Sequence, residues 1–223
     1  MKFIGYIHNG FEEKFGIPRQ SGLIDTEAFI IFEPPYNVPE AVRGLEGFSH
    51  IWILWDFSMA HGKEENESWS PTVRPPRLGG NKRVGVFASR SPFRPNNIGL
   101  SCVKLDEIIF DERGPVLKVR GADLLNETPI YDIKPYVPYS DSVPDARSGF
   151  AAERPETLEV GFICDIPKSL TTEIKGDIKK ILSQDPRPAY HNDSEKIYGM
   201  KYNGFEIKFK SDGRKITVCD ILF

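Results

Sequence analysis

Between Pro71 and Lys104 the chain carries Arg74, Arg77, Lys82, Arg83, Arg90, Arg94 and Lys104, and not one Asp or Glu. The 223 residues hold 29 Lys and Arg against 32 Asp and Glu, so this stretch is an island of +7 on a body of −10. Like charges crowded into a folded segment repel one another, and an anionic partner is the simplest compensation. A guanidinium fork grips carboxylate or phosphate through two parallel hydrogen bonds. Pro71, Pro75, Pro76, Pro92 and Pro95, with the Gly79-Gly80 pair, restrict where those forks point. A lone arginine would most simply be paired with an acid elsewhere. Seven cations without a local acid favour the anionic partner.

The elements that must position these groups read mostly as strands. Lys2 to His8 alternates and predicts a first strand, Ala28 to Phe32 a second, and Pro39 to Gly44 a helical turn with Ala41 and Val42 inward. Phe48 to Phe57 is apolar on both parities, which predicts a central strand covered on two sides, with His50 as a core histidine. The polar run 62–67 predicts an exposed loop. Val84 to Arg90 places Val84, Val86 and Ala88 on one parity and predicts a strand that delivers Arg90 to a pocket rim. Ile98 to Leu105 and Val116 to Leu125 predict two more strands around a turn at Glu112 to Pro115. The proline- and tyrosine-rich run Thr128 to Asp141 predicts an extended, non-helical segment kept off inner sheet positions. Val143 to Arg154 has linker composition. Beyond it come a strand (Leu158 to Ile163), an amphipathic helix (Ser169 to Leu182) and strands around Asn203-Gly204 and Asp212-Gly213. The expected architecture is mainly β: an N-terminal antiparallel β-barrel domain over residues 1–142, then a small α+β module over 155–223.

Composition and missing motifs exclude several functions. Hydrophobic content of 39% with 27% charge describes a globular chain, and no window reaches the ~18 apolar residues of a membrane span. Three scattered cysteines without a C-x-x-C and four histidines without ligand spacing predict no metal site and no disulfide framework, hence a cytoplasmic location. The glycine-rich dinucleotide fingerprint, the phosphate loop, the G-x-S-x-G elbow and H-E-x-x-H are all absent, and strands do not alternate with crossover helices. Any nucleotide-like cofactor would therefore bind in an architecture other than the Rossmann sheet.

Long blocks of the chain say more than periodicity does. Arg43-Gly-Leu-Glu-Gly-Phe-Ser-His-Ile-Trp-Ile-Leu54, Pro71-Thr-Val-Arg-Pro-Pro-Arg-Leu-Gly-Gly80, Arg83-Val-Gly-Val-Phe-Ala-Ser-Arg-Ser91 and Phe93-Arg-Pro-Asn-Asn-Ile-Gly-Leu-Ser101 closely resemble the TsaA-like (YaeB, TrmO) family. So do Asp123 to Tyr136 and Gln184 to Tyr190. The resemblance covers nearly the whole chain. It implies an S-adenosylmethionine-dependent tRNA methyltransferase with a non-Rossmann barrel, acting on N6 of N6-threonylcarbamoyladenosine at position 37 in the anticodon loop. It also implies a homodimer with the cofactor near the interface. Carried over position by position, the family's cofactor contacts fall on Pro18, Arg19 and Gln20, on Ser58 and Met59 after the central strand, on Arg90, on Leu100, and on Arg120, Gly121, Ala122 and Asp123.

Such a reaction sets its own chemical requirements. A carbamoylated N6 is a poor nucleophile until its proton leaves, so an acceptor is needed, and Asp123 and Asp132 are candidates; on pattern alone both read better as turn or cap residues. Arg90 is expected at the cofactor end of the cationic stretch. Arg94 or Arg77 is expected at the RNA end, with Arg74, Lys82 and Arg83 as further RNA contacts. Tyr131, Tyr136 and Tyr139 suit either base stacking or a subunit seam. In the C-terminal module Arg187, Lys196, Lys201, Lys208 and Lys210 are expected to grip the tRNA body. Two alternatives stay open: a methyltransferase of the same fold acting on a small molecule, and a non-catalytic RNA-binding barrel.

Overall fold

Alternating apolar residues in short runs separated by Gly and Pro favour antiparallel strands, and the computed structural model, which describes residues 1–57, 70–188 and 193–223, bears this out. Strands β1 (Gly5–Asn9), β2 (Glu27–Phe32), β3 (His50–Asp56), β6 (Ile98–Asp111), β7 (Gly114–Arg120) and β8 (Thr128–Pro135) close a barrel in the order β1-β2-β7-β6-β3-β8. Every pairing in it is antiparallel. Strands β4 (Thr72–Val73) and β5 (Val84–Gly85) form a separate ribbon. Ile7, Ile30, Ile51, Ile53, Leu117 and Ile130 fill the barrel and are wholly buried. Each such side chain contributes roughly 1.5–3 kcal/mol by leaving water.

The C-terminal module sets β9 (Glu159–Phe162), β10 (Tyr198–Tyr202), β11 (Phe205–Ser211) and β12 (Lys215–Leu222) in the order β10-β11-β12-β9, with β9 and β12 parallel. After a single helical turn α1 (Pro138–Asp141), the helix α2 (Thr172–Ser183) is the only long one described. The Thr171 hydroxyl oxygen caps it by accepting from the Ile174 amide at 3.2 Å. Its 3.6-residue stripe buries Ile178, Ile181 and Leu182 against the sheet. Asn203 and Gly204 both take positive φ (50° and 77°) in the β10–β11 turn, as an Asn-Gly hairpin requires. No described helix is long and apolar enough to cross a membrane.

The segment between β1 and β2 belongs physically to this second module. Phe11 and Ile24 are buried in its core, and Phe15 and Ile17 pack beside them. The Asn203 amide donates to the Gly10 carbonyl at 3.0 Å, and the Lys201 amide to Glu13 Oε1 at 2.9 Å. Gly16, at φ 98°, runs so close to Met200 that an added Cβ would meet Sδ at 2.6 Å.

Several local expectations are corrected. Val84 to Arg90 is not a strand: β5 ends at Gly85, a 3₁₀ turn covers Val86–Ala88, and only Val86 is buried. The barrel closes without this segment, so no ladder is free to extend it. Strand β3 is fully covered on one face only, because the parity of Phe48 and His50 points out of the barrel; there Trp52 and Leu54 are half-buried and His50 is exposed, with Nδ1 2.9 Å from the Ser49 hydroxyl. Ala41 is exposed while Val42 is buried. Pro129 and Pro135 lie inside β8, opposite Tyr6 and Ile51, and Pro138 opens α1, where its fixed φ suits a first helical turn. The polar run 62–67 lies outside the described residues.

Candidate functional site

At one end of the barrel a cavity of about 510 Å³ opens between the β1–β2 segment, the ends of β3 and β6, and the stretch after β7. Pro18, Arg19, Gln20, Arg90, Leu100 and Asp123 all line it. Six of the cofactor candidates, from four separate chain segments, are thereby brought together. Arg90 Nη1 donates to Gln20 Oε1 at 2.5 Å, tying the cationic stretch to the β1–β2 segment.

Asp123 is held at the base of a short relay. Trp55 Nε1 donates to Ser101 Oγ at 2.9 Å, and the Ser101 hydroxyl donates in turn to Asp123 Oδ1. Register explains the contact: Trp55 faces Gly99 across the β3–β6 ladder, and Ser101 follows two residues on, on the same face. Burial pushes the Asp123 carboxyl up from its ordinary range, against the Ser101 hydroxyl, the charge of Arg90 and the backbone of Ser21. A half-buried carboxylate with a raised pKa in a cleft is a functional candidate on physical grounds.

The cavity also holds residues that pattern reading passed over. Asp56, buried at the end of β3, lines it and accepts from the Tyr131 hydroxyl at 2.8 Å. Burial, then Asp56 itself, pushes that phenol up to about 12. Trp55, Phe57, Ile98 and Leu125 supply apolar wall. A charge closing the most apolar run of the chain was the available signal for Asp56, since burial of an unneeded Asp is costly.

Other candidates lie elsewhere. Asp132 is outside the barrel, paired to Lys134 at 3.0 Å and accepting from the Ile133 amide at 2.9 Å. A register shift opposite Leu54 and Trp55 sets Tyr131 and Asp132 together between the core-facing Ile130 and Ile133, which turns Asp132 away from the cavity. Arg120 pairs with Asp106 (2.5 Å) and Glu27 (3.2 Å) on the outer face of β7. Ala122 is buried in the barrel core. Gly121, at φ 84°, accepts from the Gly22 amide at 2.9 Å, so this pair joins the β1–β2 segment to the chain just before Asp123. Ser58 and Met59 lie outside the described residues.

Among the described residues none of Arg74, Arg77, Lys82, Arg83, Arg90 and Arg94 is ion-paired to Asp or Glu; Lys104 is, to Asp106 at 2.7 Å. Several are fixed instead by neutral oxygens. Arg77 donates to the Glu153 carbonyl, Arg83 to Thr72 Oγ1 at 2.6 Å, and Arg94 to the Val86 and Ser89 carbonyls at 3.2 and 2.7 Å. Neutral acceptors orient a guanidinium and leave its charge uncompensated. Arg94 lines the cavity and Arg74 does not. Of the C-terminal cations, Arg187 is buried and bidentate to Asp185, and Lys210 pairs with Glu195 at 2.8 Å. Tyr131 stacks on Phe3, Tyr136 leans on Trp52, and Tyr139 is exposed. No group of three or more His, Cys, Asp or Glu among the described residues could hold a metal.

A closed antiparallel barrel with a ligand-sized cleft at one end, rimmed by guanidiniums that no described carboxylate pairs, is an architecture outside the Rossmann class. Residues 6–142 match the family model for the tRNA-methyltransferase O N-terminal domain, and residues 158–223 match that for the TrmO C-terminal domain. The chain belongs to the tRNA-methyltransferase O family. The tRNA (adenine(37)-N6)-methyltransferase of Escherichia coli (strain K12) is 44% identical to it over 93% of this chain and 91% of its own. A Pseudomonas aeruginosa relative with S-adenosylmethionine-dependent methyltransferase in its name is 42% identical over 89% of this chain and 86% of its own. A crystal structure of TrmO from Pseudomonas aeruginosa superposes with a TM-score of 0.78 at 32% identity, over 100% of this chain and 97% of that one.

Proposed function

We propose that the protein transfers a methyl group from S-adenosylmethionine to N6 of N6-threonylcarbamoyladenosine at position 37 of tRNA. The observation that carries this reading is the convergence of Pro18 to Gln20, Arg90, Leu100 and Asp123 on one cavity. Its volume suits a cofactor-sized ligand. Trp55, Leu100 and Leu125 offer apolar contact to an adenine, and the half-buried Asp123 offers a negative charge to the ammonium and sulfonium centres. When bound, S-adenosylmethionine supplies a methyl group on sulfur for in-line displacement, a step that proteins promote mainly by holding the partners aligned.

Asp123 and Asp56 are the two carboxylates among the described lining residues, which favours them over Asp132 as acceptor of the N6 proton. Arg90, braced by Gln20, and Arg94, braced by two carbonyls, stand where the substrate's anionic groups enter. An anticodon loop is single-stranded, so its base reaches the cavity without a duplex being opened.

The test is incubation with methyl-labelled S-adenosylmethionine and total tRNA, with and without prior threonylcarbamoylation. Label is expected in the modified RNA only, with affinity falling as salt rises. Label in neither RNA would sink the proposal. The reading extends to a homodimer: Trp52, Leu54 and the exposed Leu100 share the outward parity of β3 and β6, and Leu100 also lines the cavity. Sedimentation velocity should give a dimer at micromolar concentration, and a monomer boundary throughout would remove this part.

A further inference from the structure

A second cavity, of about 490 Å³, lies against the first. Three stretches wall it: Lys14 to Arg19, Arg74 to Gly80, and Ile181 to Pro188 of the C-terminal module. Lys14, Ile17, Pro18 and Arg19 line both cavities and form the partition between them. The lining carries Lys14, Arg19, Arg74 and Arg187 and no Asp or Glu. Arg187 is already compensated by Asp185, at 2.8 and 2.9 Å, and Lys14 is engaged as well. The guanidinium groups of Arg19 and Arg74 make no hydrogen bond or ion pair to any described residue; the Arg19 carbonyl accepts from Gln20 Nε2. Two exposed guanidiniums with no carboxylate partner, set in one concave, proline-walled site, present donor forks that fit an oxyanion.

We infer that this second cavity is an oxyanion subsite for the substrate, with Arg74 as its donor and Arg19 at the partition. The inference rests on the tRNA-methyltransferase reading above. A group continuing from a base seated in the first cavity crosses the shared wall into the second. The oxyanion is then the threonine carboxylate carried on N6 or a backbone phosphate beside the target nucleotide. This placement gives the C-terminal module a part in substrate recognition through the Ile181 to Pro188 wall, independent of its exposed lysines.

The experiment uses the full chain with Arg74→Ala and Arg74→Gln. Substrates are anticodon stem–loops carrying N6-threonylcarbamoyladenosine, the same RNA with the threonine carboxylate converted to an amide, and versions with a methylphosphonate on either side of position 37. Both variants are expected to raise the KM for the first RNA about tenfold or more, as loss of a charge-assisted hydrogen bond does. S-adenosylmethionine affinity should stay within about twofold, as Arg74 does not line the first cavity. The penalty should vanish on the amide if the carboxylate is bound, or on one methylphosphonate if a phosphate is. An unchanged KM in both variants, or an equal penalty on every analogue, overturns the subsite. If wild-type enzyme methylated none of these RNAs, the proposed function would fail instead; stem–loop binding by fluorescence anisotropy, read on the same variants, would still decide the subsite.

Discussion

Asp123→Asn is expected to weaken S-adenosylmethionine binding about 10- to 100-fold while leaving the melting temperature unchanged or higher. Hydrogen bonds to charged groups contribute about 1.5–3 kcal/mol, and each 1.4 kcal/mol is a factor of ten in affinity. The stability half of the expectation comes from the raised carboxyl. Burial already works against the ionised form, and the Ser101 hydroxyl only partly offsets it. Asparagine keeps the shape and an oxygen for Ser101 while removing the desolvated charge. A carboxylate kept for turn or cap geometry would behave the opposite way, with the fold weakened and cofactor binding intact. The pH dependence has a definite sign. Because the carboxyl is raised, wild-type affinity for a cationic cofactor should fall with acidification sooner than an ordinary Asp would allow, and the Asn variant should lack that limb. Isothermal titration calorimetry across pH, beside thermal melts, reads both; a lower melting point with unchanged cofactor affinity would refute the assignment.

How much of this site is legible in the sequence depends on the range of the forces involved. The cationic stretch is a local composition and survives folding as it reads: six of its seven cations form no ion pair with a described carboxylate. Asn203-Gly204 and the α2 stripe are equally local, and both elements form where the pattern puts them. Closure of the barrel is non-local, and the misreadings trace to it. Parity along Phe48 to Phe57 is apolar on both sides, yet closure leaves one side outward. A single register shift in β8 reverses the facing of Asp132, which no alternation rule anticipates. The loop carrying Pro18 to Gln20 connects two barrel strands, yet Phe11, Phe15, Ile17 and Ile24 anchor it in the core of a module that begins far along the chain. The Trp55–Ser101–Asp123 relay joins three segments, each unremarkable alone. Resemblance located Asp123; only the fold shows what holds it.

Gly99→Ala tests that relay from its far end. Across the β3–β6 ladder Gly99 lies under the Trp55 indole, and a Cβ built on it would stand 2.1 Å from Cε2, 2.4 Å from Cδ2 and 2.5 Å from Cζ2. No real carbon pair tolerates such separations, and the neighbour is a rigid ring, 6% exposed, between core side chains. The indole must therefore swing away from Ser101 and carry Nε1 out of reach of Oγ. Overpacking of this kind costs about 1–3 kcal/mol. For a chain of 223 residues each kcal/mol lowers the melting temperature by about 2–4 °C, so a drop of about 2–12 °C is expected. Without Trp55 the Ser101 hydroxyl is no longer fixed on Asp123, and cofactor affinity should fall about tenfold or more at temperatures where the variant is fully folded. Ser101→Ala separates the two effects, since it breaks the relay by removing an oxygen and adds no atom. Both variants should lose cofactor affinity to a similar degree, and Gly99→Ala alone should lose several degrees more of stability. If Gly99→Ala melts early yet binds S-adenosylmethionine as wild type does, the indole packs the barrel without positioning Asp123.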